Sequence, residues 1–510
     1  MQKMIITEKD FSLEDIRYFL DKQPQVELDA SVKKRINESR KIIEDVVESD
    51  KTVYGVNTGF GKFADVRIKK EETAELQRRL VLSHAAGVGE PMPNNIVRLM
   101  MLLKIKNATQ GYSGIRLDVV QLLVNLLNKN VLPVVPKKGS VGASGDLAPL
   151  AHMALLLLGE GEAIVGNKRV PATEALKSAG LGPVQLQAKE GLALLNGTQA
   201  IQAYGLTALL QTQCLLKSAD IIGAMSLEAL LGTLTAFDAR IQDIRRHPGQ
   251  IETAANVRKI LDNSPIVDSH RLSDHKVQDA YSLRCIPQVH GAVRDGFEYV
   301  KSVFEREMNG VTDNPLVFPD NGDVLSGGNF HGEPVAFAAD HLSLITAELA
   351  NISERRIEHM LDPAVSEMAG FLTEDGGLNS GFMIAHVTAA ALVSENKVLA
   401  HPSSVDSVPT SANKEDHVSM GTFAARKALE IVENVCNVLA VELICAAQAL
   451  DLRAPLEPGP ATAAVLNLVR ERIAHWKEDR LMYVSIERAA DIIRSGAMLE
   501  SVEKVIGEMH

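Results

Sequence analysis

The chain has 510 residues, a net charge of −12 and only 4% aromatic residues. That length holds roughly two to four domains with a large core, and the acidic balance excludes a surface built for nucleic acid or an anionic membrane. Hydrophobic residues at 46% and charged residues at 23% are an ordinary globular mixture, and an apolar set dominated by Leu and Ala favours helices over sheets. The four cysteines, Cys214, Cys285, Cys436 and Cys445, form no Cys-x-x-Cys pair and no cluster with histidines. Neither structural zinc nor a disulfide framework is expected, and no metal is assigned. Met1-Gln-Lys-Met begins no apolar signal core, and the longest apolar stretches are interrupted by His152, or by Asn437 and Glu442. No membrane span is expected, and the cytoplasm is the expected location.

Residues 1–50 read as two helices, with a capping box at Ser12-Leu-Glu-Asp15 and helical spacing of apolar residues from Ile36 to Val47. The loop Tyr54-Gly-Val-Asn-Thr-Gly-Phe-Gly-Lys62 follows. It is no phosphate loop, because Val56 stands where the first glycine belongs and Phe63 replaces the Ser or Thr. Helices are predicted over Gln77–Leu82, Ile96–Lys106 and Leu117–Leu127, and an apolar segment runs from Ala151 to Leu158. Between the last two lies Gly139-Ser-Val-Gly-Ala-Ser-Gly-Asp-Leu-Ala-Pro149, a backbone crowded with small residues. By itself it reads as a Gly/Ser turn leading into a helix, with Asp146 near the start and Pro149 in the first turn. It is not a nucleophile elbow, which needs Gly where this chain has Asp146.

From Lys189 the pattern is strongly helical, through Gln199–Ser218 towards Thr235, and His270–Val289 reads as a long polar loop. A Pro-Asp-Asn-Gly turn between Leu316 and Ser326 predicts a hairpin opening onto Gly327-Gly-Asn-Phe-His-Gly332. Helices resume from Pro334 to Leu361. The run from Val418 to Leu450 meets one glycine, Gly421, and no proline, as a core helix of a bundle would. Pro455 and Pro458-Gly-Pro460 end it, before helices near Ala461–His475 and Ile486–Ser495. The expected fold is mainly α: a central bundle of long helices, a loop-rich N-terminal region and at most short β-hairpins. Its expected divisions are 1–200, 201–455 and 456–510.

The stretch Gly-Ala-Ser-Gly-Asp-Leu-Ala-Pro-Leu at 142 resembles the signature of the histidine and aromatic amino acid ammonia-lyase family. So do Tyr-Gly-Val-Asn-Thr-Gly-Phe-Gly at 54, Leu-Ser-His-Ala-Ala-Gly at 82, Leu-Leu-Asn-Gly-Thr-Gln at 194 and Tyr-Ser-Leu-Arg-Cys at 281. Thr-Asp-Asn-Pro-Leu at 312, Gly-Gly-Asn-Phe-His-Gly at 327 and Asn-Lys-Glu-Asp-His-Val-Ser-Met at 413 complete the resemblance, which covers about residues 50–455. It implies an ammonia-lyase/fumarase-like helical fold and a prosthetic group closed from Ala143, Ser144 and Gly145. The Gly145 nitrogen attacks the Ala143 carbonyl carbon and two waters leave. The product is a methylidene-imidazolone electrophile, with no external cofactor.

The resemblance also implies roles for individual residues. Deamination must take an unactivated β-proton and expel ammonia, so charge needs preorganised stabilisation. Arg284 offers a planar fork for the substrate carboxylate. Tyr54 and Tyr281 are the candidate bases, with Tyr54 favoured and the reverse assignment open. A phenol with pKa about 10 needs nearby positive charge to ionise, expected from Arg284 and helix N-termini. Asn196 and Gln278 are expected to support the carboxylate or the ring oxygen, and Phe330 to shield the ring. Glu442, in an apolar run, is expected in the pocket as acceptor of an imidazole N–H, and Ser83-His84 against the substrate side chain. These features are most similar to the histidine-specific members, implying conversion of L-histidine to trans-urocanate in a homotetramer with shared active sites. A tyrosine or phenylalanine ammonia-lyase or aminomutase of the same family is the alternative. A non-catalytic helical scaffold, never cyclised, is the remote one.

Overall fold

The computed structural model describes residues 2–49, 52–63, 65–271 and 276–510. Helix accounts for 62% of the chain and strand for 8%, the mainly α architecture that the composition implies. Packing divides the chain into two interleaved units. One comprises 1–207, 301–340 and 402–426, and the other 208–300, 341–401 and 427–510. The expected cuts at 200 and 455 are therefore not those of the packing. A linear sequence gives no sign that the chain leaves a unit and returns to it.

Unit 1 holds the loop-rich region. Its first helix, Leu13–Lys22, starts at Ser12, whose side chain accepts from the Asp15 N–H while Asp15 accepts from the Ser12 N–H, the predicted capping box. The helix Asn94–Thr109 is buried on nearly every face from Ile96 onward, Lys104 included. The predicted hairpin pairs Leu316–Phe318 with Asp323–Leu325. Further short strands were not foreseen. Lys3–Ile6 lies parallel to Gln25–Leu28, Val88–Pro91 opposes Pro136–Lys138, and Val131–Pro133, Glu162–Val165 and Lys168–Pro171 form a three-stranded sheet. Strands of three or four residues carry too few alternations to register as a period.

Unit 2 contains most of the long-helix bundle. Side-chain bonds join four of its helices: Glu442 accepts from Ser226 and Arg356, and His290 meets Asp220. These residues lie on Gln199–Ala229, Ile286–Asn309, Glu333–Leu361 and Gly421–Leu452. Among the described residues Gly421–Leu452 is long and apolar enough to cross a membrane, but 83% of its most apolar window is buried inside the chain. It is long because it is a core helix. The polar stretch 270–289, expected as loop, is helical at Tyr281–Arg284 and from Ile286 onward. Pro287 suits the first turn of that helix, and residues 272–275 lie outside the described residues.

Candidate active site

The Ala143-Ser144-Gly145 loop belongs to unit 1 and is pressed against the corner Asn196-Gly197. Gly145 has φ of +72° and bridges Gly197. A Cβ at Gly145 would stand 2.2 Å from the Gly197 carbonyl oxygen, so no other residue fits this turn. The same oxygen accepts from the Asp146 N–H at 2.7 Å. Asp146 precedes the helix Leu147–Leu157 but makes no side-chain cap on it. Its carboxylate instead accepts from the N–H groups of Ala200 and Ile201, capping the distant helix Gln199–Ala229, and from the Thr422 and Ser140 hydroxyls. Burial pushes the Asp146 carboxyl up to about 6 against the pull of those bonds.

Above the turn, the Ser144 hydroxyl donates to Glu415 at 2.6 Å. Thr410 and Ser411 also donate to Glu415, each at 2.8 Å. Burial works against the charge, but these bonds together with nearby His84 hold the carboxyl below its usual range. Ser411, Ala412 and Asn413 all have positive φ, a costly backbone for non-glycine residues that is characteristic of functional loops. Sequence reasoning missed Glu415. It sits in the quoted block at 413, where an acid among Asn, Lys, Asp and His reads as a solvated loop.

His84 is half-buried, and its Nδ1 lies 2.9 Å from the Leu80 carbonyl. A carbonyl only accepts, so Nδ1 carries the proton and Nε2 is left as an acceptor. Burial lowers the His84 pKa, though Glu415 opposes this, and the ring is neutral near pH 7. Tyr54 is half-buried, its hydroxyl 3.5 Å from the Gly61 N–H. Burial, with Glu415 adding to it, raises its pKa. Within unit 1 the phenolate is thus disfavoured, whereas positive charge was expected to favour it.

Asn196 is buried, and its side-chain N–H donates to the Asn314 carbonyl at 3.2 Å. Phe330 is half-buried in the segment that clasps the Ala-Ser-Gly loop, where Gly332 N–H donates to the Gly142 carbonyl. Ligand atoms of His331, Glu333 and His417 come within 4.8 Å of one another. His331 commits both ring nitrogens to backbone, however: Nδ1 accepts from the Glu333 N–H and Nε2 meets the His417 carbonyl. The His331 ring thus ties its own segment to the backbone at His417.

Gln278, Tyr281 and Arg284 form a second group, in unit 2. Arg284 donates to Gln278 and lies 5.7 Å from the centre of the Tyr281 ring, and Tyr281 is 76% exposed. Glu442 is corrected. It is fully buried in unit 2, takes two bonds from Arg356 at 2.5 and 2.9 Å, and accepts from Ser226 at 2.6 Å. Three donors, one of them a buried guanidinium, already engage this acid, as they would a structural counter-ion. Arg356 also donates to the Ser282 carbonyl, beside Tyr281, at 3.4 Å.

The pattern of the aromatic amino acid lyase family matches residues 11–471, and the chain belongs to that family. Within it, the chain is 51% identical over 504 residues, 99% of each protein, to the histidine ammonia-lyase of Caldanaerobacter subterraneus subsp. tengcongensis. Its fold is similar to the crystal structure of histidine ammonia-lyase from Trypanosoma cruzi, with TM-score 0.92, 43% identity and coverage of 99% of this chain and 96% of that one. It is also similar to the tyrosine aminomutase of Streptomyces globisporus, with TM-score 0.94, 34% identity and coverage of 100% and 99%.

Proposed function

We propose that this chain eliminates ammonia from L-histidine without oxidation, giving trans-urocanate, at a site centred on a group closed from Ala143, Ser144 and Gly145. The observation that carries the reading is the turn itself. Only glycine fits at position 145, and the Ser144 hydroxyl, the oxygen that must leave as the second water when the methylene forms, is held by a carboxylate. These residues suit the closed ring, which supplies an electrophilic methylene carbon to the substrate amine. Histidine is preferred because identity is higher to the relatives named for it than to the aminomutase. Fold likeness alone does not separate the two.

The chain's own residues then take these parts. Glu415, ionised, accepts a proton from the substrate ammonium. His84 Nε2 accepts the imidazole N–H, the role expected of Glu442. Asn196 holds the carboxylate together with Gln278 and Arg284 of another subunit, and Phe330 shields the site. Tyr54 takes the β-proton, with Tyr281 as the other candidate base. Because its own unit disfavours the phenolate, we assign Arg284 of another subunit the compensating charge. The exposure of Tyr281 supports a homotetramer with shared sites, since a catalytic phenol needs cover from solvent. The cytoplasm is the location we assign, from cysteines with no Cys-x-x-Cys spacing.

Purified protein incubated with histidine, tyrosine and phenylalanine, and followed by absorbance of the conjugated product, tests the substrate. Faster turnover of tyrosine or phenylalanine would assign the chain to the aromatic enzymes. Mixing Tyr54→Phe with Arg284→Ala subunits and reassembling them tests sharing. Recovered activity is expected, and well-mixed tetramers without recovery would place both residues on one chain.

A further inference from the structure

We propose that Lys104 is a positioning residue of this site: its buried ammonium fixes and polarises the Asn196–Gly197 peptide against which the Ala143-Ser144-Gly145 loop is pressed. The inference rests on the ring-closing reading above and adds a residue to it. Lys104 projects from the helix Asn94–Thr109, is 2% exposed, and donates from Nζ to the Asn196 carbonyl at 2.5 Å.

Its charge has no contact counter-ion. Among the described residues no carboxylate lies within ion-pair distance of Lys104, and the nearby Asp313 is held by Lys189 at 2.9 Å. Asp313 and Asp146 favour the Lys104 charge from farther away, Lys189 opposes it, and burial outweighs them, bringing the pKa down to about 8. An ammonium in such a place is expensive, and a methionine would fill similar space without that penalty. A buried charge bonded to the peptide that borders the reacting loop is a candidate for a functional position.

The chemistry follows from the peptide that it touches. A cation on the Asn196 oxygen draws electron density through the amide and makes the Gly197 N–H a stronger donor. That nitrogen would lie 2.8 Å from a Cβ on Gly145, so it borders the reacting loop. The rest of the corner is also clamped. The Asn196 side chain donates to Asn314, Thr198 donates to Glu307 at 2.5 Å, and Gln199 donates to Thr312 at 2.9 Å. Of these bonds, the one from Lys104 brings a full positive charge to the peptide. Lys104 therefore acts through Asn196 and Gly197 on loop closure and on the aim of the Asn196 carboxamide.

The test compares Lys104→Met, which removes charge and donor, with Lys104→Gln, which keeps a donor without charge. Wild type is measured in parallel by intact mass, histidine kinetics and denaturant unfolding. Folded Lys104→Met protein is expected to show a smaller fraction lacking two waters. Its kcat per cyclised site should fall by about tenfold or more, with KM within about threefold and stability at neutral pH near wild type. Lys104→Gln should recover part of the loss. Full cyclisation with unchanged kcat overturns the proposal. So does a loss of stability alone, or failure of both variants to fold, since either makes Lys104 structural. Wild type lacking the mass deficit would instead sink the ring-closing reading on which this one rests.

Discussion

Around Glu442 and Asp220 the buried charges meet their opposites, whereas beneath Ala143-Ser144-Gly145 they are left partly unmatched. In unit 2 Glu442 is gripped by Arg356, and Asp220 takes Arg294 at 2.6 Å, His290 at 2.8 Å and Asn256 at 2.9 Å. Burial would raise the Asp220 carboxyl, but these neighbours hold it below its usual value. Beneath the loop in unit 1 burial prevails at three groups: Asp146 rises to about 6, Glu307 rises with Asp146 adding to it, and Lys104 falls to about 8. Matched charges fix helices to one another. Asp146 and Glu307 are held instead by backbone N–H groups and hydroxyls, and Lys104 by the Asn196 carbonyl.

The comparison breaks most readily at Glu442. Glu442→Gln should cost about 3–5 kcal/mol of stability by denaturant unfolding, because it leaves Arg356 charged and unpaired in the core. The two-water mass deficit should persist in the folded fraction. Unchanged stability with lost histidine turnover would return Glu442 to the substrate.

Glu415→Gln probes the other region. It should lower kcat/KM for histidine by about 10²–10⁴, the usual span for a proton-transferring side chain, while unfolding free energy moves by less than about 1 kcal/mol. Collapse of stability in this variant would make Glu415 a structural clamp. Smaller again is His84→Phe. Exchanging a polar contact for an apolar one should move the ratio of phenylalanine to histidine turnover upward by about 10–200-fold, read by product absorbance. An unchanged ratio would remove His84 from substrate selection.

The smallest effect is a pH dependence of stability. The folded pKa of Lys104, about 8, lies below its unfolded value of about 10.4. Between those values the unfolded chain binds more protons, so stability rises with pH through that window. Asp313, Asp146 and Lys189 face Lys104, but only Lys104 is absent from Lys104→Met. Wild type should therefore gain stability over that variant from about pH 8 to pH 10, measured by denaturant unfolding at matched ionic strength. A constant difference would mean that Lys104 is not held under this penalty.

The long helices were legible because their apolar spacing persists over many turns, and the loop at 142 because its nine-residue stretch resembles the family signature; its small residues alone read as a turn. Glu442 misled for a physical reason. An acid in an apolar run reveals that it needs a partner but not which one, and Arg356 is 86 residues away in sequence. Glu415 and Lys104 were missed for complementary reasons. One is an acid in a polar loop, the other a lysine in an apolar helix, and the function of both comes from contacts far along the chain. The capping of Gln199–Ala229 by Asp146 likewise joins residues 54 and 55 positions apart.

The central claim is that Ala143, Ser144 and Gly145 close into an electrophilic ring. Intact mass spectrometry of purified wild type beside Ser144→Ala tests it most directly. Wild type should be lighter than its sequence by two waters, and Ser144→Ala protein should be inactive and without that deficit. A fully active wild type at its unmodified mass would contradict it.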